Sequence, residues 1–480
     1  MLSIQLASLA LIAVLTPAVS AETVLGAFIY HRHGDRTTKS YPPTKLTPLG
    51  YQEVYQSGGF YNSRYVSNTS SSQIYGISSV AVKNSQISVQ AAVDDVLDDS
   101  AIGFLQGLYP PIGLAGAELL ANGSTIEPPL GGYQLIPVNE LASLASVANS
   151  GDATWLQGAS GCQNAITDSN EYFFSQDFMD FSNKTASFYQ SILPVINNTF
   201  TSATDIYKNA YAVWDLIQVS LIHNKTIQSS ELLTPSTITQ LQTLADHHEF
   251  ALAYNASSPV RAISGMSLAG MILQQLNGTL TSTGPLLSIQ FGEYASFLSF
   301  FGLASLPSVS ANFTGIVDFA SSMAFELVTN ATVSGTTYPA LSDISVRFMF
   351  SNGSAADAPF MPYPLFGQSS LEVPWNTFVN EMNNFAVTNQ TAFCQLCGSA
   401  SDGCSTTSTV ATPSPTPTAA TSVGGSGMSA AIGGVIGAMV TLAVILGVEA
   451  VVLLIGGLKV VKKSAGGSAV ELGAVTGGKI

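Results

Sequence analysis

The sequence predicts an α/β domain on the exported side of a membrane, joined by a stalk to one membrane-spanning helix. Three observations predict it. A strand-like apolar run, Val24 to Tyr30, stands near the start of the chain; helix-patterned stretches fill its middle; and a second apolar run near the end is long enough to cross a bilayer. With 480 residues, 46% of them hydrophobic, the chain has material for a substantial core. Only 9% of residues are charged, and Asp and Glu outnumber Lys and Arg by 30 to 15. A polyanion would be repelled by that balance, which excludes nucleic acid as a partner.

The first element is 1–21. It runs mostly apolar from Leu6 to Leu15 and closes with Pro17-Ala18-Val19-Ser20-Ala21, small residues where a signal peptidase reads. The basic residues usual before such a run are missing, but the run is too short to span a bilayer and ends in a cleavage-like site, so the segment reads as a signal cleaved near Ala21. Export is supported separately by Asn-x-Ser/Thr acceptors at Asn68, Asn122, Asn183, Asn197, Asn224, Asn255, Asn277, Asn312, Asn330, Asn352 and Asn389. In a chain so poor in charge, sugars on a subset of these would supply solubility.

The second element, 22–404, is the folded domain and contains no repeat of fixed period. Its first strand ends at a polar, glycine-containing turn. Helices are expected over Asp205 to Leu221, Thr237 to Tyr254 and Ala262 to Leu276, so a strand core carries helical insertions. Cys162, Cys394, Cys397 and Cys404 are an even set, which in an exported chain favours two disulfides with three possible pairings. We expect a small staple at the end of the domain and a bridge from Cys162. Cys394-x2-Cys397 lacks the second ligand pair of a zinc knuckle.

The last three elements are 405–429, 430–458 and 459–480. The first is dominated by Ser, Thr, Pro, Ala and Gly and cannot bury enough apolar area to fold, so it reads as an extended stalk. Ala430 to Leu458 is nearly unbroken apolar sequence followed by Lys459, Lys462 and Lys463, which gives a type I span with a cytoplasmic tail and lipid as a partner. A glycolipid-anchor signal is the rival reading; such signals end in their apolar stretch, whereas here a more polar tail continues to Ile480. Gly433 and Gly437, with the costly Glu449, motivate self-association of this helix.

Chemistry is concentrated where the first strand ends, at Arg32-His33-Gly34-Asp35-Arg36. Two guanidinium groups offer planar, permanent charge to phosphate oxygens, a neutral imidazole between them can attack phosphorus, and Gly34 lets the backbone come close. On this motif the sequence resembles the histidine acid phosphatases, the branch of the phosphoglycerate mutase-like superfamily that includes the phytases. Ser100-Ala101-Ile102-Gly103-Phe104-Leu105-Gln106-Gly107-Leu108-Tyr109-Pro110-Pro111 and the helix around His247-His248-Glu249-Phe250 with Tyr254 add to the likeness. The resemblance implies a mixed central sheet flanked by helices with a helical cap. It also implies a phosphomonoester or free phosphate as partner, His33 as nucleophile, Arg32 and Arg36 as phosphate binders, and no cofactor or metal.

The chain departs from the family's pattern at four places. Thr38 stands where Pro is usual. Val96 occupies the position of a third phosphate-binding Arg, among Asp94, Asp95, Asp98 and Asp99, which would repel an anion if they faced the site. In the stretch Leu287 to Leu298, Gly292 replaces a phosphate-binding His and Glu293 stands where the acid belongs, as a candidate proton donor. Two functions stay open: a phosphatase acting through a phosphohistidine, or a pseudophosphatase that keeps the fold for binding or structure. His247 and His248 are expected to shape the cleft or to be solvated, and His31 and His223 show no metal-ligand spacing.

Overall fold

The computed structural model describes residues 22–141, 161–201, 206–224, 227, 231–335, 337–398 and 404. The expected signal, stalk, membrane helix and tail, with Gly433, Gly437 and Glu449, lie outside the described residues. Among the described residues no helix is long and apolar enough to cross a membrane.

The strands are β1 (Thr23–Arg32), β2 (Ile87–Ala92), β3 (Glu118–Leu119), β4 (Thr125–Ile126), β5 (Asn139–Leu141), β6 (Leu287–Gly292), β7 (Ser322–Thr329), β8 (Ile344–Ser351), β9 (Met361–Pro362) and β10 (Glu372–Pro374). The helices that matter most for the site are α1 (Pro48–Tyr61) and α2 (Asp95–Leu108). After the single turn α3 (Pro129–Gly132) come α4 (Gln163–Glu171), α5 (Gln176–Ile196), α6 (Ala210–His223), α7 (Pro235–Ala253), α8 (Ile263–Leu280), α9 (Tyr294–Leu303), α10 (Trp375–Asn383) and α11 (Gln390–Cys397).

The central sheet runs β10-β8-β7-β1-β6-β2-β5 and is mixed. β1, β6, β2 and β5 pair in parallel, while β7, β8 and β10 continue antiparallel from the other side of β1. Helices cover both faces, which is why β1, β6 and β7 are almost wholly buried and read as near-continuous apolar runs. Alternate side chains of β1 enter different cores. Phe28 and Tyr30 join the helices α5 to α9, whereas Ala27 and Ile29 join α1 and α2. A register shift between Val24 and Gly26 lets Leu25 share the face of Phe28.

The expected elements are present with adjusted ends. β1 continues past Tyr30 because His31 and Arg32 still pair with Phe291 and Gly292 of β6. The helix expected from Asp205 begins as the tight turn Tyr207–Asn209 and becomes α6 at Ala210. α8 runs on to Leu280, and α7 matches its expected span within two residues.

Two disulfides close the end of the domain. Cys394–Cys404 is the small staple, and Cys162–Cys397 ties α11 back to the start of α4. Cys394 and Cys397 therefore belong to different bridges.

Candidate active site

The site is assembled where β1 ends, and glycine decides how closely its parts approach. A Cβ on Gly34 would run into the Gly50 carbonyl, and one on Gly50 would run into the Asp35 carbonyl. The first turn of α1 can thus lie directly against the motif loop. Thr47, the N-cap of α1, locks the approach: its amide donates to the Asp35 carbonyl at 3.0 Å, and its hydroxyl donates to the Asp35 carboxylate.

His33 is fully buried. Its Nδ1 lies 2.7 Å from the Gly34 carbonyl, which only accepts, so Nδ1 carries the proton and Nε2 keeps its lone pair. Burial lowers the pKa of this ring, with Arg32 and Arg36 adding to the effect against the pull of Glu293. The shift favours the neutral imidazole, the form a nucleophile requires. Nε2 is 3.4 Å from Glu293 Oε2 and has no hydrogen-bond partner among the described residues.

Both motif arginines are buried and both lie over the ring of Phe319, Arg32 at 4.7 Å and Arg36 at 5.6 Å from its centroid. Arg32 also donates to the Val317 carbonyl and sits over Tyr294. Arg36 is more fully engaged. It forms an ion pair with Asp215 at 2.9 Å and donates to Tyr211 Oη at 2.9 Å and to the Thr37 carbonyl at 3.0 Å. Among the described residues, Nε of each arginine has no hydrogen-bond partner.

Carboxylates balance these cations. Burial pushes the Glu293 carboxyl up, yet Lys39, His33 and Arg36 outweigh it and hold the group well below the ordinary range. Lys39 Nζ is 3.5 Å from Glu293 Oε2. Asp215 behaves alike: burial raises it, but Arg36, the Thr38 hydroxyl and the Lys39 amide lower it further. Thr38, the mild departure noted in the sequence, is thus a donor to Asp215.

The structure brings His33, Arg32, Arg36 and Glu293 together. Gly292 is register partner to Arg32 across β1 and β6, so Glu293 follows at the level of His33. Val96 is buried in the first turn of α2, near the loop through Ser100, whose hydroxyl donates to the Val96 carbonyl and accepts from the Gly34 amide. The aspartates around Val96 have a local role. Asp94 caps α2 by accepting from the amides of Val96 and Leu97, and Asp95 and Asp98 lie in the first turn, where negative charge is favoured.

The histidines divide by environment. His31 is buried, donates to the Arg32 carbonyl and accepts from Ser57, and burial lowers it to about 4. His248 is buried among Tyr172, Phe173, Phe178 and Tyr207, which corrects the expectation of solvation for this residue. Its Nδ1 bonds Glu249, whose other oxygen accepts from Tyr294. His247 stacks on Phe181. His223, at the end of α6, donates from Nε2 to Asp35 at 2.6 Å.

Sequence reasoning missed Lys39, Tyr211, Asp215, His223 and Phe319. Two signals were available. Asp215 is the one acidic residue of α6, flanked by Trp214 and Leu216, and a carboxylate amid apolar residues needs a partner. Tyr211 precedes it by four residues and so shares its face. Among the described residues no cluster of three or more His, Cys, Asp or Glu could hold a metal ion.

No family model and no curated protein matches the chain. Solved structures do match. A Hafnia alvei phytase in complex with tartrate is 13% identical, covers 78% of this chain and 98% of its own, and superposes with a TM-score of 0.51. A Citrobacter braakii phytase is 14% identical over 76% and 98%, with a TM-score of 0.49. A Bifidobacterium longum multiple inositol polyphosphate phosphatase, in complex with inositol hexasulfate, is 10% identical over 79% and 96%, at 0.46. The chain has the phytase fold, as the resemblance implied.

Proposed function

We propose that this chain is a histidine acid phosphatase-like hydrolase of phosphomonoesters, slow because its phosphate site is incomplete. One observation carries the reading: His33 lies buried beside two arginines with Nδ1–H bonded to Gly34, so that Nε2 holds a free electron pair. In the step proposed, Nε2 attacks phosphorus and forms an N–P bond while the ester P–O bond breaks. The leaving oxygen takes a proton, and water then cleaves the N–P bond to release phosphate. Arg32 and Arg36 would hold the phosphoryl oxygens. Glu293 is the candidate proton donor; a phosphate drawn to the arginines adds negative charge beside it and raises its proton affinity, as that role requires. The insertion carrying α4 to α7 would serve as the helical cap, with α6 bringing Tyr211 and Asp215 to Arg36.

The fold's phytase and inositol polyphosphate phosphatase neighbours make inositol phosphates natural test substrates. Gly292 and Val96 each lack a donor worth about 3 kcal/mol in the transition state. At about 1.4 kcal/mol per factor of ten, the rate falls several orders below that of a complete site.

A specific observation favours a second reading, a pseudophosphatase. Arg36 is already neutralised by Asp215, and Lys39 by Glu293. Sequence features support an exported protein held by 430–458 as a single-pass type I membrane protein, with Gly433 and Gly437 favouring helix self-association.

The test uses the full-length chain in detergent with p-nitrophenyl phosphate and inositol hexakisphosphate from pH 3 to 7. Turnover that disappears in His33→Ala, with phosphohistidine trapped by alkaline quench, supports the enzyme. Equal turnover in both proteins rejects His33 catalysis. Phosphate binding without turnover in the wild type selects the pseudophosphatase.

A further inference from the structure

Away from the motif loop, α8 and α10 border a cleft of about 610 Å³, within the range of small-molecule sites. Five carboxamides line it. Gln274 and Asn277 stand three residues apart on α8, and Asn376, Asn380 and Asn383 follow helical spacing along one face of α10. All five are exposed, and none bonds another protein group among the described residues. No lining residue is charged, and Leu273 and Trp375 supply a buried apolar floor.

That chemistry selects a ligand. A carboxamide offers two donors and an acceptor oxygen, which suits hydroxyls that both donate and accept. Without charge, neither a phosphate nor a cation is drawn in. An apolar floor suits the C–H face of a pyranose ring.

A sugar has a source within the wall of the cleft, because Asn277-Gly278-Thr279 is a glycosylation acceptor. Thr279 is buried and its hydroxyl donates to the carbonyls of Gln275 and Pro285, so any attachment precedes folding. We infer that the cleft seats a neutral saccharide, the first sugars of an N-linked chain on Asn277, against the amides of α10. The inference rests on export of the chain but not on the chemistry at His33.

The full-length chain would be expressed in a eukaryotic secretory host and read by glycopeptide mass spectrometry. Release by peptide N-glycosidase F is then timed on folded and denatured protein. Asn122, exposed between β3 and β4, is the reference, with exposed Asn68 as a second. We expect Asn277 to be occupied and released at least tenfold more slowly than the reference in folded protein, with equal rates after denaturation. The double variant Asn380→Ala, Asn383→Ala should remove the protection and leave occupancy unchanged. A bare Asn277 beside occupied acceptors overturns the inference, as does equal release from the folded wild type, which needs no variant to read. Bare acceptors throughout would overturn export as well.

Discussion

At His33 the decisive quantity is charge. On the proposed reading, a phosphoryl group must compete with Glu293 for Lys39 and with Asp215 for Arg36. The Arg36–Asp215 pair is buried on both sides, so removing one partner strands the other charge. Asp215→Asn should therefore destabilise the protein by about 3 kcal/mol or more. Inorganic phosphate should recover part of that loss, because it binds the folded state in place of the missing carboxylate. Differential scanning calorimetry with and without phosphate decides the point. A phosphate-induced rise in Tm no larger in the variant than in the wild type would remove Arg36 from the phosphate site.

At the scale of elements, α1 and α2 meet through glycines. A Cβ on Gly58 would enter the Phe104 carbonyl, and one on Gly107 the Tyr55 carbonyl, so neither helix tolerates a side chain at the crossing. Gly107→Ala should cost about 1–3 kcal/mol in urea unfolding, since backbone cannot swing away as a flexible side chain can. Gly59, one residue beyond the crossing, meets nothing within 4 Å of a built Cβ. Gly59→Ala should instead stabilise by about 0.5–1 kcal/mol through helix propensity. The same sign at both positions would contradict the packing described. Because Gly50 and Thr47 of α1 hold the motif loop, Gly107→Ala should also lower affinity for phosphate. The Cys162–Cys397 bridge acts on a different element pair. Replacing both cysteines by Ala should cost about 2–4 kcal/mol, measured by the same unfolding assay, and leave phosphate affinity unchanged.

For the whole molecule, buried carboxyls and buried histidines set the response to pH with opposite signs. Burial raises Glu53 to about 7 and Asp246 to about 6, from ordinary values of 4.5 and 3.8. Between those limits these two carboxyls bind more protons in the folded chain than in the unfolded one, so their contribution to stability falls as pH rises from about 4 to 7. His31, lowered by burial from 6.5 to about 4, acts oppositely: its contribution rises over about pH 4 to 6.5. Asp215 shares the sign of His31. Its folded pKa is depressed, so its contribution is present above 3.8 and lost as pH falls through the folded value. The carboxyl contribution is isolated by comparing Tm between pH 4 and 7 in the wild type and in a variant that lacks both groups. In the double variant Glu53→Gln, Asp246→Asn the slope of Tm against pH should become more positive than in the wild type. An unchanged slope between pH 4 and 7 in that variant would refute the assignment.

Local pattern was enough to read β1, α6, α7 and α8, because burial on both faces or at helical spacing leaves a trace in neighbouring residues. It was enough for the motif too, since Arg32, His33 and Arg36 lie within five residues on one loop. Glu293 came through resemblance, and the pairing of Arg32 with Gly292 now gives its position a physical cause. By itself, then, the sequence determined the strand, the loop with its paired arginines, and an even set of cysteines. Only the tertiary structure decided which cysteines pair and which carboxylates neutralise the site. Asp215 is 179 residues from Arg36, and Glu293 is 260 from His33; contacts over such separations depend on sheet order and helix packing, which short-range pattern does not encode.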